Sequence, residues 1–421
     1  MIETVTLSAG VTLRCCRDSR FKQGCLSIQL LRKMDAGEAA MNALLSAVLL
    51  RGTKAHPDLR AITRRLDELY GASVSPLVRR VGDYQTVGLY CGFMDDRFAL
   101  PGDKVLEPMI GFLEEILLNP LVKDGAFLPE IVESEKKNLI SAIESELNDK
   151  RSYAMGKLLK IMCREDSFGL PRLGEPSQVE KIDPQGLYRH YEDILRTAPV
   201  DIFYVGSADS RTVANLLTPL LSRTQREPMD LPPQTAFCSA QGQDAAETME
   251  VSQGKLCMGF TTPITNRTPE FAAMQVMNAL FGAGMTSKLF QNVREKLSLC
   301  YSVGSGYYST KGILVVHAGI DFDKEQQTRE EILRQLALCR NGEISDMELN
   351  AAKEAMLSSL RGTHDSPGAI EGYYATAAIS GLAMDTRAYM TAVESVTKEQ
   401  VVAAANTVKL HSTYFLKGGS Q

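Results

Sequence analysis

Three short passages of this chain recur in its second half in the same order, and that duplication constrains the fold more than any other feature. Met41-Asn42-Ala43-Leu44-Leu45 returns as Met277-Asn278-Ala279-Leu280-Phe281. Tyr90-Cys91-Gly92-Phe93-Met94-Asp95-Asp96 has a counterpart in His317-Ala318-Gly319-Ile320-Asp321-Phe322-Asp323. Asp201-Ile202-Phe203-Tyr204-Val205-Gly206-Ser207 resembles Ser412-Thr413-Tyr414-Phe415-Leu416-Lys417-Gly418. One match alone carries nothing, but three in register, at offsets of roughly 210 to 240 residues, point to two copies of one domain. The polar, proline-bearing stretch Ser222–Pro228 to Pro232–Ala236 reads as the linker. The expected division is residues 1–221, a linker at 222–240, and residues 241–421.

A length of 421 residues, 44% of them apolar, is enough for two such cores. The net charge of −5 comes from mixed signs, without the basic footprint of a nucleic-acid binder. Nine cysteines, an odd number without a Cys-x-x-Cys pair, argue against a disulfide framework or a zinc ribbon. Free buried thiols in a reducing compartment are expected. The first ten residues have neither a basic nor an apolar region, so no signal peptide is expected. Apolar runs fall far short of a membrane span, and the expected location is cytoplasmic, with no membrane partner.

Each copy mixes helices and strands, an α+β class. Glu38 to Leu50 is apolar almost all round and predicts a buried helix. Pro57 suits a first helical turn; Leu59, Ile62, Leu66 and Leu69 follow at helical spacing, ending at Gly71. Val74 to Val81 and Gln85 to Phe93, turning at Gly82-Asp83, predict a hairpin. In the second copy Tyr301–Tyr308 and Ile313–Ile320 do the same around Lys311-Gly312, after a helix opened by Thr268-Pro269-Glu270. Leu128 to about Met162 predicts one long amphipathic helical stretch, and Thr397-x-x-Gln400 has the capping-box pattern.

The buried helix carries Ala43-Leu44-Leu45-Ser46-Ala47, and Gly52-Thr53 and Leu66-Asp67-Glu68-Leu69-Tyr70-Gly71-Ala72 follow it. Ser167-Phe168-Gly169-Leu170-Pro171-Arg172-Leu173-Gly174 comes later, then the long signature from Phe281-Gly282-Ala283-Gly284 through Arg294-Glu295-Lys296 to Tyr301-Ser302-Val303. On these residues, and over nearly its whole length, the chain resembles the pitrilysin/insulinase metallopeptidase family. The likeness is to the short-subunit branch that includes mitochondrial processing peptidase and many paired bacterial proteins. The resemblance implies two tandem homologous α/β sandwich-like domains, each an antiparallel or mixed sheet flanked by helices, forming half of a clamshell dimer.

In that family an inverted motif, His-x-x-Glu-His, puts two imidazoles on one helix face to bind zinc, and its Glu activates the bound water. The matching positions here are Ala43, Ser46 and Ala47. A further Glu ligand lies seven residues after another Glu; anchored on Glu135, its position is Ala142. Glu144, two residues on, is turned about 200° away along a helix. The resemblance therefore implies no metal and no catalytic residue on this chain.

The second-half signature implies chemistry of another kind. In the family's active dimers an Arg and a Tyr at the positions of Arg294 and Tyr301 contact the substrate backbone and help hold the developing oxyanion. A charged fork and a phenol both donate to an oxygen whose charge grows in the transition state. Read without the resemblance, Arg294 is a surface ion-pair partner and Tyr301 a half-buried strand aromatic. Gly282 and Gly284 have two readings: close approach of a substrate strand, or a tight turn after a helix. His56, His190, His317, His364 and His411 are well separated and read as surface or satisfied core histidines. His317 and Asp321 share one face of a strand.

The resulting expectation is a non-catalytic subunit of a heterodimeric zinc peptidase of bacterial type. It binds peptide or unfolded polypeptide and supplies Arg294 and Tyr301 to an active sister, with zinc in the sister only. The alternative is a peptide-binding or structural scaffold without a peptidase role. A hydrolase built on Cys300 is a third, weaker reading, because no His is near it in sequence.

Overall fold

The structure is a computed structural model that describes residues 2–146, 148–222, 226–237 and 241–418, the side chains of 219–222 aside. The first half runs β1 (Ile2–Ser8), β2 (Val11–Arg17), β3 (Gln23–Lys33), α1 (Ala39–Leu49), α2 (Leu59–Glu68), β4 (Ser73–Val81), β5 (Tyr84–Met94) and α3 (Leu106–Leu118). A minimal hairpin, β6 (Val122–Lys123) with β7 (Ala126–Phe127), leads to α4 (Pro129–Glu146), α5 (Lys150–Met162), α6 (Pro176–Val179), α7 (Pro184–Thr197), β8 (Val200–Gly206) and α8 (Ser210–Ser222). The second half runs β9 (Asp244–Met249), β10 (Gly254–Thr261), α9 (Phe271–Phe281), β11 (Ser302–Tyr308), β12 (Ile313–Ile320), α10 (Glu325–Arg340) and α11 (Asp346–Gly362). It ends with α12 (Pro367–Ser380), α13 (Thr386–Ser395), α14 (Lys398–Thr407) and β13 (Lys409–Gly418).

Two sheets repeat one plan. The first has the order β1-β2-β8-β3-β5-β4, the second β9-β13-β10-β12-β11. In each, a single parallel pair (β2 with β8, β9 with β13) adjoins antiparallel neighbours. Ser73 lies opposite Gly92 in the first hairpin and Ser302 opposite Gly319 in the second. The three repeated passages fall on α1 and α9, on the ends of β5 and β12, and on β8 and β13. The chain is an α+β duplication, as the repeats predict.

α1 is buried on nearly every side, which its all-round apolar sequence requires; Leu44, Leu45, Val48 and Leu49 pack with Leu26, Ile28 and Leu30 of β3. α2 starts two residues later than the sequence suggests, because the Asp58 carboxylate accepts from Ala61 N at 2.8 Å and caps it. Thr397 and Gln400 form the predicted capping box.

The long helix predicted from Leu128 to Met162 is two helices. α4 ends at Glu146, and Asp149 starts α5 by accepting from Arg151 N at 3.0 Å and Ser152 N at 3.2 Å. The break marks an exchange. One compact unit comprises Met1–Glu144, Pro171–Pro233 and His364–Thr376; the other comprises Ser145–Leu170, Gln234–Thr363 and Ala377–Gln421. The sequence halves at 1–221 and 241–421 thus differ from these units by two traded segments. Within the second unit, Ala154, Leu158, Leu159 and Met162 of α5 pack on Cys257, Val315, Tyr414 and Leu416. A Cβ at Gly259 would collide with the Met162 sulfur, so glycine is what lets α5 lie so close. Within the first unit, Glu371 is fully buried, takes both Arg79 nitrogens at 2.9 and 2.7 Å, and accepts from Ser27 Oγ at 2.7 Å.

Eight cysteines, Cys15, Cys16, Cys25, Cys91, Cys163, Cys257, Cys300 and Cys339, are free and buried; Cys238 lies outside the described residues. No described helix is long and apolar enough to cross a membrane.

Candidate functional site

On α1 the motif positions Ala43 and Ser46 are packed as core, while Ala47 is half-buried. Ala43 is 5% exposed. Ser46 is fully buried, and its hydroxyl accepts from Gly88 N at 3.2 Å, tying α1 to β5. Beside them Asn42 donates to Gln85 Oε1 at 2.8 Å and meets His190 Nε2 at 2.7 Å. Burial lowers the His190 pKa, so its imidazole is neutral in the fold. On α4, Glu135 is buried and pairs with Arg51 at 3.0 Å, while Ala142 and Glu144 are exposed. These residues do not fit a zinc ion. The alanine methyls have no lone pair, the Ser46 oxygen is engaged, and three protein ligands are the rule for a catalytic zinc. Among the described residues no three His, Cys, Asp or Glu side chains converge as metal ligands.

The second unit brings the Arg and Tyr together. Residues Leu289–Lys296 wind as a π-helical turn, a form that recurs at functional sites. Leu289 and Val293 bury one face of this turn, and Arg294 stays partly exposed on it. The turn is braced by Lys288 Nζ on Glu348 Oε1 at 2.6 Å and by Asn292 Nδ2 on Gln335 Oε1 at 3.0 Å. Tyr301 N donates to Gly319 O at 2.8 Å, which seats the tyrosine at the entry to β11. Arg294, Glu295, Ser298, Cys300, Tyr301, Asp321 and Lys324 then line one open cleft of about 410 Å³.

The cleft has its own electrostatics. Tyr301 is 55% exposed, and its hydroxyl donates to Asp321 Oδ1 at 2.8 Å. Lys324 Nζ takes the other carboxylate oxygen at 3.1 Å and also donates to Ser298 O at 3.3 Å. The bond to Asp321 raises the Tyr301 pKa above its ordinary value, so the phenol stays protonated and able to donate. The bonds from Tyr301 and Lys324 lower that of Asp321. The Arg294 guanidinium stacks 4.6 Å from the Phe290 ring centre and meets Glu295 at 3.3 Å. Cys300 is buried and its thiol is pushed up to about 11, so it carries almost no thiolate at neutral pH.

Asp321 and Lys324 are the cleft residues that sequence reasoning missed. Asp321 was visible beside His317 on the predicted strand, but it lies just past β12 and turns to Tyr301, while His317 stays within β12 opposite Gly304 and Cys257. The signal was the three-residue spacing to Lys324, which suits an ion pair on a helical turn. Gly282 ends α9 and packs under β11: an added Cβ would come within 2.5 Å of Ser305 Oγ and 2.8 Å of Leu289 Cδ1. Gly284 has φ +120, a backbone that favours glycine, with open space around it. Neither glycine lines the cleft. His56 Nδ1 meets Glu115 at 2.7 Å and His411 Nδ1 meets Ser412 Oγ at 2.8 Å; His317 Nδ1 is buried without a partner.

Residues 181–356 match the family model described as the peptidase M16 inactive domain. The chain is 30% identical, over 97% of its own length and 96% of the other, to a Bacillus subtilis protein named as a probable inactive metalloprotease. A conserved protein from Enterococcus faecalis has the same fold at TM-score 0.91 and 26% identity, covering 100% of this chain and 99% of that one. A peptidase M16 inactive domain from Pseudomonas fluorescens superposes at TM-score 0.81 and 17% identity, over 100% and 98% of the two chains.

Proposed function

Since this chain belongs to the M16, or pitrilysin/insulinase-type, peptidase family, as one of its inactive members, we propose that it is the non-catalytic half of a two-subunit zinc peptidase. Its partner is an active sister with an intact His-x-x-Glu-His, and the two enclose peptide or unfolded polypeptide. The observation that carries this reading is the asymmetry of retention. The zinc-ligand positions Ala43, Ala47 and Ala142 and the base position Ser46 all lack the family's residues, yet Arg294 and Tyr301 still line one open cleft.

The division of labour follows from the chemistry. Zinc and a carboxylate base in the sister supply the activated water. This chain supplies donors: Arg294 brings a permanent charge held by the Phe290 ring, and Tyr301 brings a phenol kept protonated by Asp321. Lys324 already neutralises Asp321, so the exposed phenol can exchange that carboxylate for a substrate carbonyl at small cost. Gly284, with open space around it, leaves room for an extended peptide ahead of this surface, whereas Gly282 is packed under β11.

The test is kinetic. In the assembled pair, Arg294→Ala should leave the subunits associated and lower turnover by roughly 10²-fold, the usual cost of removing one oxyanion donor. Unchanged turnover would remove the role of Arg294 and favour the scaffold reading.

A further inference from the structure

The second unit holds a polar slot away from the Arg294–Tyr301 cleft. An open outer part of about 410 Å³ is lined by residues 148–151 at the start of α5, 250–253 of the β9–β10 turn and Lys255 of β10. A smaller, more enclosed inner space of about 20 Å³, room for about one oxygen atom, shares Arg151 and Lys255 with it and is otherwise bounded by Leu256, Cys257, Ser302, His317, Ala318 and Gly319.

Four observations make this a built site. His317 borders the inner space, and its Nδ1 is buried without a hydrogen-bond partner, although buried polar atoms are almost always paired. Two cations, Arg151 and Lys255, border the same space. Glycines keep it open: a Cβ at Gly319 would lie 3.0 Å from Ser302 Oγ and 3.4 Å from Lys255 Nζ, and one at Gly304 would lie 3.1 Å from His317 Nε2. The nearest acid is already committed, since Asp149 accepts from Arg151 N, Ser152 N and Ser152 Oγ. Glu250 is exposed and borders only the outer part.

The duplication supplies a control. By sheet register, the counterparts of Lys255 and His317 in the first unit are Cys25 and Tyr90. There the Tyr90 hydroxyl reaches to within 3.0 Å of a Cβ built on Gly368, near the start of α12, and no cation stands at the Cys25 position. The second unit has kept the architecture and exchanged a thiol and a phenol for an ammonium and an imidazole.

We propose that this slot binds a single carboxylate of a peptide, one oxygen entering between His317 and Arg151 with Lys255 closing over it. A carboxylate accepts from guanidinium, ammonium and imidazole N–H donors together, and it supplies the partner that His317 Nδ1 lacks. The assignment to a peptide rests on the proposed function; the anion chemistry does not. A C-terminal carboxylate and an Asp or Glu side chain share that chemistry.

The test uses the full chain labelled at its histidine rings, with the His317 resonance assigned by loss in His317→Gln. Acetate and three peptides of one neutral sequence are titrated in: the free acid, the C-terminal amide, and the amide carrying one internal Asp. Acetate should shift His317 saturably, with the response weakened about tenfold or more in Arg151→Gln or Lys255→Gln that melt like the parent. The free acid or the Asp peptide should bind several-fold tighter than the plain amide, and which of them does so identifies the source. A His317 resonance unmoved by acetate and by both acidic peptides would overturn the slot, even where all peptides bind equally and peptide binding itself stands. An acetate response with no peptide preference would overturn the peptide assignment and leave a small-anion site.

Discussion

The Tyr301 hydroxyl and the Asp321 carboxylate are joined by a 2.8 Å hydrogen bond across the mouth of an open cleft, and Lys324 holds the second carboxylate oxygen at 3.1 Å. That relationship makes the phenol a protonated donor that is held but exposed. Removing the carboxylate should let the Tyr301 pKa fall back towards its ordinary value of 10.0. Spectroscopic titration of Asp321→Ala against the parent, with Tyr301→Phe to identify the transition, should show one tyrosine ionising at lower pH. Superimposable curves would mean the bond does not persist in solution.

A second prediction concerns the ion pair under residues 364–376. Glu371 is fully buried and Arg79 is its charged partner, at 2.7 Å. Arg79→Ala leaves a buried carboxylate without a counter-charge and should cost about 3–5 kcal/mol. Urea denaturation measures this. Arg79→Lys should recover only part, because an ammonium cannot reproduce the two-pronged contact.

A third concerns the emptied motif. Ser46→Ala removes the acceptor for the buried Gly88 N–H and should destabilise the chain by about 1 kcal/mol, a shift of a few degrees in Tm. Zinc added in solution should not change the melting of parent or variant, since no residue at Ala43, Ser46 or Ala47 accepts the metal.

The pH dependence has a definite sign. His190 is neutral when folded, with its pKa lowered by burial below the ordinary 6.5 it recovers on unfolding. The unfolded chain therefore binds the extra proton first, and stability falls as pH drops below about 6.5 until the folded-state value is passed. Above that, His190 adds no slope. Chemical denaturation at pH 7.5 and 5.5 should show a loss that is smaller in His190→Gln.

Cysteine chemistry is the simplest to check. The eight described thiols are buried, and Cys300 is pushed up to about 11. A thiol reagent at neutral pH should modify no more than one group of the native protein, Cys238 being the one outside the described residues. Alkylation should leave the activity of the assembled pair intact; loss of activity would revive a cysteine mechanism.

Much of this architecture was legible because its causes are local. The apolar run of α1, the two hairpins with glycine at their turns, and the Thr397–Gln400 capping box each determine their own element. The duplication was legible because both copies kept the sheet register that places Gly92 opposite Ser73 and Gly319 opposite Ser302. The separation of α4 from α5 was not, because helical periodicity runs on from one into the other and its cause is tertiary. α5 belongs to the second unit and packs on that unit's sheet, and only the Asp149 cap hints at a new start. Within the cleft, Arg294 and Tyr301 could be placed from the sequence signature, but the grip of Asp321 on Tyr301 arises from strand ends meeting in space.

The measurement that tests the central claim most directly is isolation of this chain from its native lysate, with every stoichiometric companion sequenced and the zinc content measured. The account predicts one companion of the same family with an intact His-x-x-Glu-His, about one zinc per pair, and peptidase activity absent from either subunit alone. Elution of the chain by itself, without zinc and without such a sister, would contradict it.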